Sequence, residues 1–140
     1  MINFDYLAGL MDADGHFTWS GGKYMAPDIG VTNTSQSLML ALTDFLGGSA
    51  SPQRATCSDG CLDEAAHIHR RTDIWKWHLT GYRAVLVCRE LAPRMVIKGA
   101  HAADLARQYD LHLVEMEGPA RRSHHMVKEQ KWWAARFGGA

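Results

Sequence analysis

The chain has 140 residues, with 15 basic side chains balanced by 15 acidic ones and hydrophobic and charged contents of 46% and 21%. These are globular values for a length that suits one domain, 1–140, and no run approaches the ~20 apolar residues of a membrane span. Asp5 interrupts the first apolar stretch and no basic leader precedes it, so a secretory signal is not expected. Three cysteines, Cys57, Cys61 and Cys88, suit a reducing compartment better than a disulfide scaffold.

Formal neutrality by itself argues against a nucleic-acid binder, but the charge is unevenly spread. Residues 65–100 hold Arg70, Arg71, Lys76, Arg83, Arg89, Arg94 and Lys98 against Asp73 and Glu90. From residue 118 onward Arg121, Arg122, Lys128, Lys131 and Arg136 face one acid, Glu129. Such polarity lets a neutral protein present a basic surface to phosphate.

In chain order, residues 5–13 predict a short helix with Leu7, Leu10 and Met11 inward, and Gly15 as its stop. Residues 16–20 alternate, so Phe17 and Trp19 face a core while His16, Thr18 and Ser20 face outward. Gly21-Gly22 signals a turn into a second strand over 29–33, paired with the first. Ser35 opens a helix with Leu38, Leu42, Phe45 and Leu46 at helical spacing, closed by Gly47-Gly48. Residues 51–56 read as a strand and 57–61 as a loop. Residues 67–71 and 74–80 read as a hairpin with Ile68, Trp75, Trp77 and Leu79 inward. Helices are expected over 82–91, closed by Pro93, over 99–109, and over 123–137, the last packed through Trp132-Trp133. The order gives an α+β domain with helices on one sheet face.

Asp12 and Asp14 stand at the end of the first helix, where unpaired carbonyls carry partial negative charge and an acid costs a few tenths to about 1 kcal/mol. A local rule broken without visible compensation points to function, and a divalent cation binding carboxylate and carbonyl oxygens together is one compensation. Residues 7–15, Leu-Ala-Gly-Leu-Met-Asp-Ala-Asp-Gly, resemble the LAGLIDADG signature at every position except Met11, which stands for isoleucine. The chain therefore resembles the LAGLIDADG homing endonucleases. The resemblance covers about 3–110 and implies their αββαββα core, with helices on one face of a curved antiparallel sheet. A C-terminal helical extension follows over about 118–140.

The resemblance implies roles residue by residue. The second acid of the motif, Asp14, would bind the essential divalent metal, joined by the Ala13 backbone carbonyl. Asp12 is read as a structural carboxylate at the helix interface, suited to capping neighbouring backbone. Lys98, in a Pro-x₄-Lys context from Pro93, matches a lysine near the family's active site. Asn33 falls where some relatives carry a solvent-positioning Gln; Ser37 departs from the basic residue that follows in them. Mg²⁺ is the expected ion, with Mn²⁺ or Ca²⁺ able to take the site and Ca²⁺ non-catalytic.

Gly9 and Ala13, four apart, lie on one helical face and permit backbone-to-backbone approach of two such helices. The motif occurs once, so the partner helix is expected from a second copy. Leu7, Gly9, Asp12 and Ala13 then mark a C₂ interface and a partly palindromic target. The outward residues Thr18, Ser20, Thr32, His67, His69, Arg70, Arg71, Lys76 and His78 make a DNA face of the kind that enters a major groove. Cys57, Cys61, His67 and His69 are ligand types for zinc, but their spacing is irregular and both histidines compete for the strand, so zinc is not expected.

The resulting expectation is an intracellular homodimeric, Mg²⁺-dependent, site-specific double-strand DNA endonuclease of a mobile genetic element, with no membrane partner. A bacterial or phage-infected cytoplasm is the expected setting, an organelle the alternative. Its rivals are an intron RNA maturase and a non-catalytic DNA-binding regulator on the same fold.

Overall fold

A computed structural model describes residues 2–20, 26–53 and 74–138 of the chain. Helix α1, Phe4–Asp14, starts where the Asn3 side chain accepts the Tyr6 N–H at 2.8 Å, satisfying one of the orphan donors of the first turn. It buries Leu7, Ala8 and Met11 and runs without a loop into β1, Gly15–Ser20. Gly15 adopts ordinary extended backbone, φ −78°, rather than a left-handed cap. Its requirement is steric: a Cβ there would stand 2.7 Å from both the Cα and the carbonyl oxygen of Met11.

Strand β2, Ala26–Asn33, pairs antiparallel with β1 through His16↔Gly30, Thr18↔Asp28 and Trp19↔Pro27. It begins three residues earlier than the sequence reading, through a proline. Pro27 is tolerated because it lies just beyond the last pair with the neighbouring strand β4, Trp75–Thr80, where its carbonyl accepts the Gly81 N–H at 2.9 Å. Helix α2, Gln36–Leu46, is capped by the Ser35 hydroxyl on Leu38 N–H at 3.2 Å. Gly47, at φ +80°, ends it. Strand β3, Ser49–Pro52, then pairs with β4.

The result is a four-stranded antiparallel sheet in the order β1-β2-β4-β3. Phe17, Ile29, Val31, Trp77 and Leu79 point to one face, which α1, α2, α3 (Tyr82–Leu91) and α4 (Gly99–Phe137) cover. The fold is α+β, as the element order predicts. The strand expected over 67–71 lies outside the described residues. The two C-terminal helices expected from the sequence are both present but longer, meeting at Gly118, where φ 75° and ψ 173° break the helix; α4 is used for the pair.

The second half of α4 returns to the body of the molecule. Trp133 and Phe137 meet Phe4 of α1, and Phe137 meets Phe45 of α2, with centroids 5.1–5.6 Å apart. Arg136 donates to the carbonyls of Thr43, Asp44 and Phe45, closing the C-terminal turn of α2. Arg89 of α3 donates from Nη2 to both carboxylate oxygens of Asp110 at 2.7 and 2.8 Å and from Nη1 to the buried Glu129 at 3.4 Å, tying both halves of α4 to α3. No helix among the described residues is long and apolar enough to cross a membrane.

Candidate active site

The two acids that end α1 are treated differently by the fold. Asp12 turns towards the segment before α4, where its carboxylate accepts the N–H groups of Val96 at 2.7 Å, Lys98 at 2.8 Å and Ile97 at 3.0 Å. The Lys98 N–H above all, then those of Ile97 and Val96, hold the Asp12 carboxyl below the usual carboxylate range against partial desolvation. The charge that α1 disfavours is thereby offset by the donors at the start of α4.

Asp14 receives no such compensation. It is exposed, and its carboxylate has no hydrogen-bond or ion-pair partner among the described residues. Ala13 beside it is exposed too, in the last turn of the helix, where carbonyls lack helical partners. Lys98 comes to the same place from the other direction: its Nζ donates to the Gly15 carbonyl at 2.6 Å, one residue beyond Asp14. Asp12 positions the backbone of Lys98, and Lys98 puts an ammonium over the negative end of α1.

Asn33 takes a different part. Its Oδ1 accepts the Ser35 N–H at 2.9 Å, shaping the turn into α2, and it makes no hydrogen bond to Asp14 or Lys98. The expected interface needs one correction. Leu7 is 0% exposed and belongs to the core, because the inward stripe of α1 runs through Leu7, Ala8 and Met11. The outward face is Tyr6, Gly9 and Ala13, with Leu10 half-buried; a Cβ on Gly9 would meet nothing within 4 Å. Beside it the turn before α4 exposes Val96 (92%) and Ile97 (76%).

The uncovered face of the sheet carries Thr18, Thr32, Lys76 and His78 in one surface, as alternation places them. Ser20 closes β1 opposite Ala26. His67, His69, Arg70 and Arg71, with Cys57 and Cys61 of the zinc question, lie outside the described residues. Two of the counted bases are spent internally: Arg89 on Asp110 and Glu129, and Arg94 on Asp5 and Glu90. Cys88 is buried, and that burial pushes its thiol up to about 12, which removes it from chemistry at neutral pH.

Sequence reading missed two residues of the uncovered face. His16 was read as outward but given no part; it crosses Gly30, where a Cβ would collide with its ring. Burial, above all, holds its pKa below the ordinary histidine value, with Lys76, His78 and Lys98 adding to the depression and Asp28 opposing it. Asp28 fell outside a strand drawn from residue 29; its alternation with Thr32 was the available signal. Among the described residues no group of three His, Cys, Asp or Glu side chains is placed to hold a metal.

No protein-family model matches this chain, and no curated protein does. Solved structures do. The chain is similar to the archaeal intron-encoded homing endonuclease I-Vdi141I in complex with DNA, at 13% identity and a TM-score of 0.57, over 90% of this chain and 82% of that one. It is similar to the homing endonuclease I-CvuI in complex with its target, at 15% identity and TM-score 0.58, over 98% and 83%. It also matches I-SmaMI at 14% identity and TM-score 0.54, where 92% of this chain covers 44% of that one. The chain therefore has the LAGLIDADG homing-endonuclease fold, with its signature residues at 7–15 forming α1 and the entry to β1.

Proposed function

We propose that this protein is a site-specific double-strand DNA endonuclease that acts as a homodimer with a divalent metal, Mg²⁺ foremost. One observation carries the reading: of the two motif acids, Asp12 is consumed by three backbone amides while Asp14 stands exposed, without a partner among the described residues, next in sequence to the Gly15 carbonyl that holds the Lys98 ammonium. Mg²⁺ binds oxygen ligands, is content with one or two carboxylates, and keeps several waters. Asp14 and the Ala13 carbonyl are donors of that type, but one chain supplies half of such a pair.

A second copy would complete it. Tyr6, Gly9 and Ala13 leave α1 bare on one side, and Val96 and Ile97 extend that side with exposed apolar surface. Apposing two such helices about a two-fold axis brings both Asp14 residues together.

A divalent ion there would supply an activated water and charge for the leaving oxygen. Asp14 would hold that ion's side of the scissile phosphate, and Lys98 would place positive charge where the phosphorane develops negative charge. The uncovered sheet face, with Lys76, His78, Thr18 and Thr32, would lie in the major groove. The resemblance supports an intracellular role in copying a mobile element by cutting its insertion site.

The test is Mg²⁺-dependent cleavage of duplex DNA spanning the insertion site of the protein's own gene, with Asp14→Asn alongside. Wild type is expected to cut both strands, and Asp14→Asn to bind with similar affinity while losing at least about a thousandfold in rate. Full cutting by Asp14→Asn overturns the mechanism. Intron splicing without DNA cleavage would point instead to an RNA maturase, and specific binding without cutting to a regulator.

A further inference from the structure

Asp28 occupies an unusual position. It stands in β2, an inner strand, on the uncovered face between Thr18 of β1 and Thr80 of β4. Aspartate is depleted in strands, and this one directly follows a proline, itself a poor strand former. Among the described strand residues of that face it is the sole carboxylate. Its Oδ1 is closed off from solvent without a hydrogen-bond donor among the described residues; His78 Nδ1 is 3.8 Å away. The side chain as a whole remains 19% exposed, so its edge reaches the surface.

The neighbours are arranged around it. Gly30, two residues along β2, has no side chain, and the His16 ring fills that gap from β1 while His78 stands opposite from β4. The His16 ring thus lies over Gly30, with the Asp28 carboxylate beside it on the same face. Burial favours neutral His16, so this ring does not neutralise Asp28 at pH 7.

We propose that Asp28 is a specificity-determining residue that accepts a hydrogen bond from the exocyclic amine of a cytosine or an adenine. The assignment rests on the DNA reading given above. A carboxylate on a phosphate-facing surface is repelled by the backbone, so it does not serve general affinity. It accepts hydrogen bonds and donates none. In the major groove the donors on base edges are cytosine N4 and adenine N6, whereas guanine and thymine present acceptors. A carboxylate opposite either of those two is an unmade bond, which is discrimination by rejection. Because Oδ1 is closed off from solvent, the other carboxylate oxygen is the one that accepts.

The experiment is selection of bound duplexes from a randomised pool with full-length protein, followed by binding assays on single-base variants. Wild type is expected to require cytosine or adenine at one position of each half-site, and to lose about tenfold or more when thymine or guanine stands there. In Asp28→Ala that penalty should shrink to about twofold or less, with the other positions unchanged. Asp28→Val, strand-favouring and without an acceptor, repeats the test should the alanine variant unfold. If adenine is selected, 7-deaza-adenine distinguishes an added imidazole contact at N7 from a contact to the amine alone. An unchanged preference at every position in the variants overturns the assignment, and so does relaxation at all positions together, which would mark a merely structural role. A wild-type protein without any sequence preference overturns the DNA reading itself.

Discussion

Asp12 and Asp14 are two residues apart and chemically identical, yet the fold gives them opposite tasks. Their shared position at a helix C-terminus was legible in the sequence as an electrostatic cost. The resemblance points to Asp12 as the capping acid, but which backbone it caps was not legible, because the three amides come from 84–86 residues away. Asp12→Ala is expected to lower the melting temperature at pH 7 by leaving the Val96, Ile97 and Lys98 amides without their acceptor. The pH dependence has a definite sign. The folded pKa of Asp12 is depressed, so its contribution is full above the unfolded-chain value of about 3.9 and drains away as pH falls through the lower folded value. Thermal unfolding of wild type and Asp12→Ala should therefore converge as pH drops below that window. A gap that is constant down to pH 2 would count against the cap.

At the scale of elements, periodicity identified α2 and α3 nearly to the residue, because their apolar spacing and their Ser35 and Gly81 boundaries are local signals. It failed at β2 and α4 for physical reasons. Pro27 argues against a strand unless the residue lies past the last ladder pair, which is knowledge of register rather than of sequence. In α4 the buried stripe Ala102, Leu105, Ala106, Tyr109 and Leu113 continues beyond the expected end at residue 109, since α3 and β1 offer it surface to cover. The break comes instead at Gly118, whose φ 75°, ψ 173° is a region that other residues scarcely enter. Gly118→Ala is expected to cost about 1–3 kcal/mol in urea unfolding, chiefly by straining the return that brings Trp133, Phe137 and Arg136 onto α1 and α2. A variant as stable as wild type would mean that the second half of α4 contributes little to the fold.

At the scale of the whole molecule, the proposed dimer can be separated from the fold that displays it. Gly9 lies on the bare side of α1, and a Cβ there meets nothing within 4 Å. Gly9→Leu should therefore leave the subunit folded, with helix propensity improved by as much as about 1 kcal/mol. It should also prevent close approach of two α1 helices. Sedimentation is expected to show monomer where wild type is dimeric, with circular dichroism preserved and double-strand cleavage lost. A Gly9→Leu protein that still dimerises and cuts would place the partner surface elsewhere.

The sequence by itself determined the motif, the α+β class, the alternation that splits the sheet into apolar and polar faces, and the oxygen-donor chemistry at the end of α1. These are short-range properties: residue type, spacing and periodicity suffice for them. The tertiary structure alone decided which amides take Asp12, that Lys98 returns to Gly15, that Leu7 is core rather than interface, and that Arg89 and Arg94 are committed inside the molecule. Each of those outcomes depends on contacts between residues 4 to 89 positions apart in the chain, and on which of them the packing of four helices on one sheet face brings within hydrogen-bonding distance.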